Sequence, residues 1–165
     1  MQPGKFSEPT HDHGHCVANA LADAETICRA RGVRLTKQRR QVLEIVWAGH
    51  APVGAYHILA ALSVLDGRAA APPTVYRALD FLQAHGLVHK IESRKAYVGC
   101  QNPGEAHVGQ FLICEGCGNA AEIDSRTITS VIEVQAKEVG FSVEGITLEV
   151  HGHCSICLEI PKSKA

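Results

Sequence analysis

The chain has 165 residues, 45% of them hydrophobic and 5% aromatic, enough for one ordinary domain or two small ones. No run of eighteen apolar residues occurs, which excludes a membrane-spanning helix, and the opening Met-Gln-Pro-Gly-Lys-Phe-Ser-Glu-Pro-Thr lacks the apolar core of a signal peptide. Net charge is −1, yet residues 31–95 carry ten Lys and Arg against four acids while residues 96–165 carry four against nine, the asymmetry expected of a polyanion-binding module joined to one that is not.

Residues 1–16 read as a polar, flexible tail holding His11, His13, His15 and Cys16, a His-rich tract that either stays solvated or collects metal. Val17, Ala20, Leu21, Ala24, Ile27 and Cys28 recur at helical spacing as far as Ala30, and Gly32 closes that helix. Thr36 is the expected N-cap of a second helix, with Val42, Leu43, Ile45, Val46 and Trp47 facing inward and Gly49 ending it. Tyr56 to Leu65 gives a third, stopped by Asp66-Gly67. Ala71-Pro72-Pro73-Thr74 starts a fourth abruptly, because proline suits the first helical turn. It runs through Gln83 on a buried stripe of Val75, Leu79 and Leu82 and ends at His85-Gly86. Leu87 to Ile91 and Lys95 to Cys100 are short β-runs around a Ser93-Arg94 turn. Helices followed by a small hairpin describe a winged helix-turn-helix over residues 17–100, whose fourth helix enters the major groove while the wing touches backbone.

Residues 101–109, including Gln101-Asn102-Pro103-Gly104-Glu105, have the composition of a hinge. Residues 110–165 then alternate: strands at Gln110 to Cys114 and Ala120 to Ile123, an amphipathic helix from Ile128 to Val139 ended by Gly140, and a strand from Phe141 to Val150. The predicted class is therefore α+β, with a winged helix followed by a small α/β module. A module this small needs a metal or a partner subunit for stability.

Cys114-Glu-Gly-Cys117 and Cys154-Ser-Ile-Cys157 supply the metal. Two such pairs grip one tetrahedral ion from both sides, and a closed four-sulfur shell suits structural zinc. Disulfides and a thioredoxin-like redox motif are the alternatives, but the latter uses a single pair in a strand–helix context. Seven cysteines, an odd number, without an export signal point to a reducing cytoplasm. Recognition falls to the fourth helix, where Thr74, Tyr76, Arg77 and Asp80 lie opposite its apolar stripe. Arg77 can donate a bidentate pair to guanine, and Tyr76 can touch a thymine methyl or a phosphate. Arg34, Lys37, Arg39, Lys90, Arg94 and Lys95 are candidate phosphate contacts.

Val33-Arg34-Leu35-Thr36-Lys37-Gln38-Arg39, Pro72-Pro73-Thr74-Val75-Tyr76-Arg77-Ala78-Leu79, Cys114-x-x-Cys117 and His153-Cys154-x-x-Cys157 together resemble the ferric uptake regulator family, from about Ala18 to Leu158. The resemblance implies a cytoplasmic, homodimeric, metal-responsive repressor of operator DNA, with a C-terminal dimerisation module. It also implies base contacts from Tyr76 and Arg77 and a minor-groove role for Arg34, where narrow A·T-rich DNA attracts cations. Iron and manganese sensors of the family carry a His-His-x-Asp-His cluster before the first cysteine pair; here the stretch reads Glu105-Ala106-His107-Val108-Gly109. His89, Cys100, His107 and Glu122 instead match the sensing ligands of its zinc-uptake-regulator branch. Two zinc ions per subunit are then expected, one structural and one regulatory.

Hairpin geometry agrees with that set. A turn at Ser93-Arg94 places Ile91 opposite Ala96 and His89 opposite Val98, so that His89 and Cys100 share one face as diagonal neighbours. His151 and His153 are left open as a further metal site. The competing reading within the family is a sensor of iron, manganese or peroxide. An enzyme acting on a small-molecule substrate is excluded by the lack of a helical His-Glu-x-x-His or comparable set beside an open metal position. A plain zinc-ribbon interaction protein does not account for the basic N-terminal half.

Overall fold

The computed structural model describes Phe6, residues 13–104, His107, residues 109–123 and residues 126–159; His11, Glu105, Ala106 and Val108 lie outside them. Four helices come first: α1 (His13–Ala30), α2 (Lys37–Trp47), α3 (Ala55–Asp66) and α4 (Pro72–Ala84). Helix α1 begins at His13, inside the stretch expected to be a tail, because Cys16 and Val17 already pack onto the helical core. The Thr36 hydroxyl caps α2 by accepting the Arg39 N–H at 3.4 Å. Gly67, left-handed at φ 64°, stops α3, and Pro72 and Pro73 form the first turn of α4. Ala24, Val42, Val46, Ile58, Leu62, Val75, Leu79 and Leu82 lock the four helices into one core that also takes in Leu87, Val88 and Tyr97 from the hairpin.

The hairpin pairs β2 (Val88–Ile91) with β3 (Ala96–Gly99) around a 3-10 turn at Glu92–Arg94. Its register sets His89 opposite Val98 and Ile91 opposite Ala96, as expected. A two-residue strand β1 (Val53–Gly54) joins the other edge of β3. No sequence pattern announced it, because two residues are too few to show an alternation. Helices plus a three-stranded wing make a winged helix.

The second sheet runs in the order β5-β4-β6, from β4 (Gln110–Cys114), β5 (Ala120–Ile123) and β6 (Leu148–Gly152), with β4 and β6 parallel. Helix α5 (Arg126–Glu138) connects β5 to β6, and the short α6 (Ser155–Glu159) follows. The fold is α+β. The strand expected from Phe141 forms only from Leu148, and Phe141 is exposed. Strand β4 begins at Gln110, which pairs with Leu148, so residues 141–147 have no ladder to join. The two sheets meet through a second apolar cluster: Ile91 and Val98 from the wing against Phe111, Ile113 and Ala120.

Candidate metal centres and DNA-facing helix

Two clusters of donor atoms stand out among the described residues. In the first, the sulfurs of Cys114, Cys117, Cys154 and Cys157 all lie within 4.8 Å of one another. Cys114 ends β4 and Cys117 follows a tight knuckle closed by Gly118 N–H donating to Cys114 O at 2.9 Å. Gly116 is required there: a Cβ would sit 2.8 Å from Cys157 Sγ. Burial works to raise the Cys114 thiol, but N–H groups of Cys117, Cys154 and Gly116 aimed at its sulfur bring it down to about 6. Cys157 is pushed up to about 12, first by its hydrogen bond with Cys154. A sulfur held by backbone donors at Cys114, with three more sulfurs around it, is a shell that a soft cation completes by displacing protons.

The second cluster draws on four parts of the chain: His89 from β2, Cys100 just past β3, His107 from the segment between β3 and β4, and Glu122 from β5. Glu122 Oε1 lies 2.7 Å from His107 Nε2 and 3.0 Å from His89 Nε2. The two imidazole nitrogens are 3.1 Å apart, and Cys100 Sγ is 3.5 Å from His107 Nε2. Glu122 is 2% exposed and Cys100 1%. Burial alone would push the Glu122 carboxyl up, yet hydrogen bonding and charge from His89, the Gln101 N–H at 2.9 Å, and His107 hold it below its ordinary value. Burial, with the Glu122 charge beside it, pushes the Cys100 thiol up to about 12. Two nitrogens, a sulfur and a carboxylate are a zinc-type donor set. Bonds of about 2.0–2.3 Å place tetrahedral ligands roughly 3.3–3.7 Å apart, so the sulfur already stands at that spacing from His107 Nε2 and the hydrogen-bonded N and O atoms need only part by roughly half an ångström or less. Gly109 makes room: a Cβ there would come 2.7 Å from the Phe111 ring and 2.9 Å from His89 Nδ1. Gly109 and the Gln101 amide are parts of the site that sequence spacing alone did not mark. His151 and His153 join neither cluster.

On α4, Tyr76, Arg77 and Asp80 are exposed and Thr74 half-buried, opposite the buried Val75, Ala78, Leu79 and Leu82. Thr36, Gln38, Arg39, Thr74 and Arg77 line one cleft where α2 meets α4. Arg34, Lys37, Arg77 and Lys95 make no ion pair among the described residues. The other expected phosphate contacts are engaged inside the molecule. Arg39 stacks 3.5 Å over the Phe81 ring and donates to Arg34 O at 2.6 Å; Lys90 pairs with Glu92 at 2.6 Å and Arg94 with Glu115 at 3.2 Å.

The profile of the ferric uptake regulator family matches residues 30–151. The zinc uptake regulation protein of Escherichia coli is 39% identical over 141 residues, which cover 85% of this chain and 82% of that one. Among solved structures, a zinc uptake regulator complexed with zinc and DNA superposes with a TM-score of 0.82 at 38% identity, over 87% of this chain and 96% of that one. The holo form of XcZur superposes with a TM-score of 0.78 at 45% identity, covering 85% and 97%.

Proposed function

The chain belongs to the ferric uptake regulator family, and we propose that it is a zinc-responsive transcriptional repressor of zinc-uptake genes, acting on a palindromic operator as a homodimer. The observation that carries this reading is the His89–Cys100–His107–Glu122 cluster, whose donors come from the wing, the hinge and the C-terminal sheet at once. Zinc bound there supplies a single positive centre shared by all four. Because the donors converge only when the wing lies on the C-terminal sheet, filling the site favours that arrangement over others, and by linkage operator binding tightens zinc. A tenfold effect requires only about 1.4 kcal/mol of differential binding. Family membership makes the chain a regulator rather than an enzyme.

In this reading Cys114, Cys117, Cys154 and Cys157 hold a permanent structural zinc that the small C-terminal module needs in order to fold. The exchangeable zinc belongs to the second cluster, whose sulfur and nitrogen donors suit zinc better than the oxygen-rich shells favoured by manganese. Thr74, Tyr76 and Arg77 face the bases, and Arg34, Lys37 and Lys95 face phosphates. Residues 17–100 act as the reading module, 101–109 as the hinge and 110–165 as the dimerisation module. Support for the dimer comes from α5, which has no buried residue and exposes Val131 and Val134, with Val139, Phe141 and Leu158 exposed nearby in sequence. Apolar surface of that kind marks an interaction face. No helix among the described residues is long and apolar enough to cross a membrane, and a regulator of this kind acts on DNA in the cytoplasm in this reading. Operator binding measured with zinc and, anaerobically, with ferrous ion tests the assignment: zinc is expected to promote binding at the lower free concentration, and a preference for ferrous ion would make the chain an iron sensor.

A further inference from the structure

The wing is fastened at a second place, remote in sequence from the donor cluster. One carboxylate, Glu149 on β6, straddles two successive N–H groups of the wing turn: Oε1 accepts from Glu92 N at 2.6 Å and Oε2 from Ser93 N at 3.1 Å. Beside it, Arg94 Nη2 donates to Glu115 Oε1 at 3.2 Å, and the same oxygen lies 2.6 Å from His151 Nδ1. Glu149 and His151 alternate along β6, opposite Phe111 and Ile113 of β4, so they share one face of the strand. Burial alone would raise the Glu149 carboxyl, but the Ser93 hydroxyl and the Glu92 and Ser93 N–H groups hold it below the ordinary range.

These contacts have a mechanical consequence. The donor cluster grips the wing at His89, on β2, and the apolar Ile91–Val98–Phe111–Ile113–Ala120 cluster packs its face. A hairpin held only at its base and face can still rock at the turn. Two carboxylates from the C-terminal module catch that turn, and charge-assisted bonds to ionised acceptors are the strong and directional ones. Glu115 also engages Arg94, a candidate phosphate contact.

We propose that Glu149, assisted by Glu115, is a positioning residue that latches the wing turn to the C-terminal sheet and so couples occupancy of the zinc site to the orientation of the reading helix. The inference rests on the reading of the chain as a zinc-gated DNA-binding regulator. Neither carboxylate belongs to a donor cluster; both act through the wing.

The test uses the full-length, zinc-loaded protein and a fluorescent duplex selected by the wild type from a random pool. At saturating zinc, Glu149→Ala is expected to weaken duplex binding about tenfold and Glu149→Gln about threefold, with dimer content and metal content unchanged. The slope of log affinity against log salt, which counts neutralised phosphates, should stay at the wild-type value. Glu115→Gln provides the decisive sign, at an exposed residue whose isosteric replacement does not threaten folding. A latch predicts about threefold weaker binding, whereas an Arg94 released onto phosphate predicts tighter binding and a steeper slope, which overturns the proposal. Wild-type affinity in both Glu149→Ala and Glu115→Gln overturns the latch while leaving the functional reading standing. A wild type that selects no duplex in the presence of zinc overturns the functional reading, and the coupling role with it.

Discussion

Replacing Cys100 by serine separates the two metal clusters in one step. The thiol is 1% exposed and serine is nearly its shape, so no cavity opens. The new hydroxyl keeps His107 Nε2, 3.5 Å from the present sulfur, as a polar neighbour, and the cost to folding is about 1 kcal/mol. That is a small part of the roughly 5–15 kcal/mol that holds a domain folded. The cost to the cluster is larger. Loss of a partner one shell out from a metal already costs about 10–100-fold in affinity. Loss of the sulfur itself should therefore cost at least ~100-fold, or about 2.7 kcal/mol. Light scattering and circular dichroism should show a folded dimer that still holds its four-sulfur zinc. Titration against a chromophoric chelator should show the second site weakened by that factor, and fluorescence anisotropy should show operator binding displaced to correspondingly higher zinc. A Cys100→Ser protein that binds operator at wild-type zinc levels, or one that unfolds or falls to monomers, refutes the separation of roles.

The other cluster should behave oppositely: Cys114→Ser removes the thiolate held by three backbone N–H groups, and loss of C-terminal structure is expected by circular dichroism, a stable dimer depleted in metal being the contrary outcome. Gly109→Ala drives a methyl to within 2.9 Å of His89 Nδ1 and 2.7 Å of Phe111; chelator competition should report about 10–100-fold weaker zinc at the second site in a chain whose four-sulfur zinc is untouched. Zinc affinity of that site should fall as the pH is lowered. The metal-free form keeps the Cys100 proton, since its thiol is pushed up to about 12, and the zinc form does not; protons therefore favour the metal-free form, by about tenfold per unit for one displaced proton. A pH-independent affinity between pH 7 and 8 would remove Cys100 from the ligand set. On the DNA side, Arg77→Ala should cost about 1–3 kcal/mol and relax specificity at one base position, whereas Lys37→Ala should weaken all sequences alike and reduce the salt slope by about one; a reversal of these two signatures in binding assays would exchange their roles.

Much of the molecule could be read from its residues, and the exceptions have physical causes. The cysteine pairs carry their own geometry, so the four-sulfur cluster needed no fold to be recognised. The wing register followed from strand alternation, and His89 and Cys100 do meet. Phe141-Ser142-Val143 alternates like a strand, but a strand needs a neighbour as well as a pattern, and β4 offers none before Leu148. The clamp of Arg39 over Phe81 and the catch of Glu149 on the wing turn were both illegible. A lone charge in a sequence does not say whether a ring, a backbone N–H or a phosphate will be its partner. Fifty-six residues separate Ser93 from Glu149, and only the packing of the two sheets brings them together.

One preparation tests the central claim most directly. Zinc per subunit and operator affinity are to be measured on the same sample before and after mild chelation, and again after zinc is restored. Two ions falling to one, with operator binding lost and then regained on restoration while the dimer persists, is the predicted result. Equal affinity for operator at one ion and at two would contradict it.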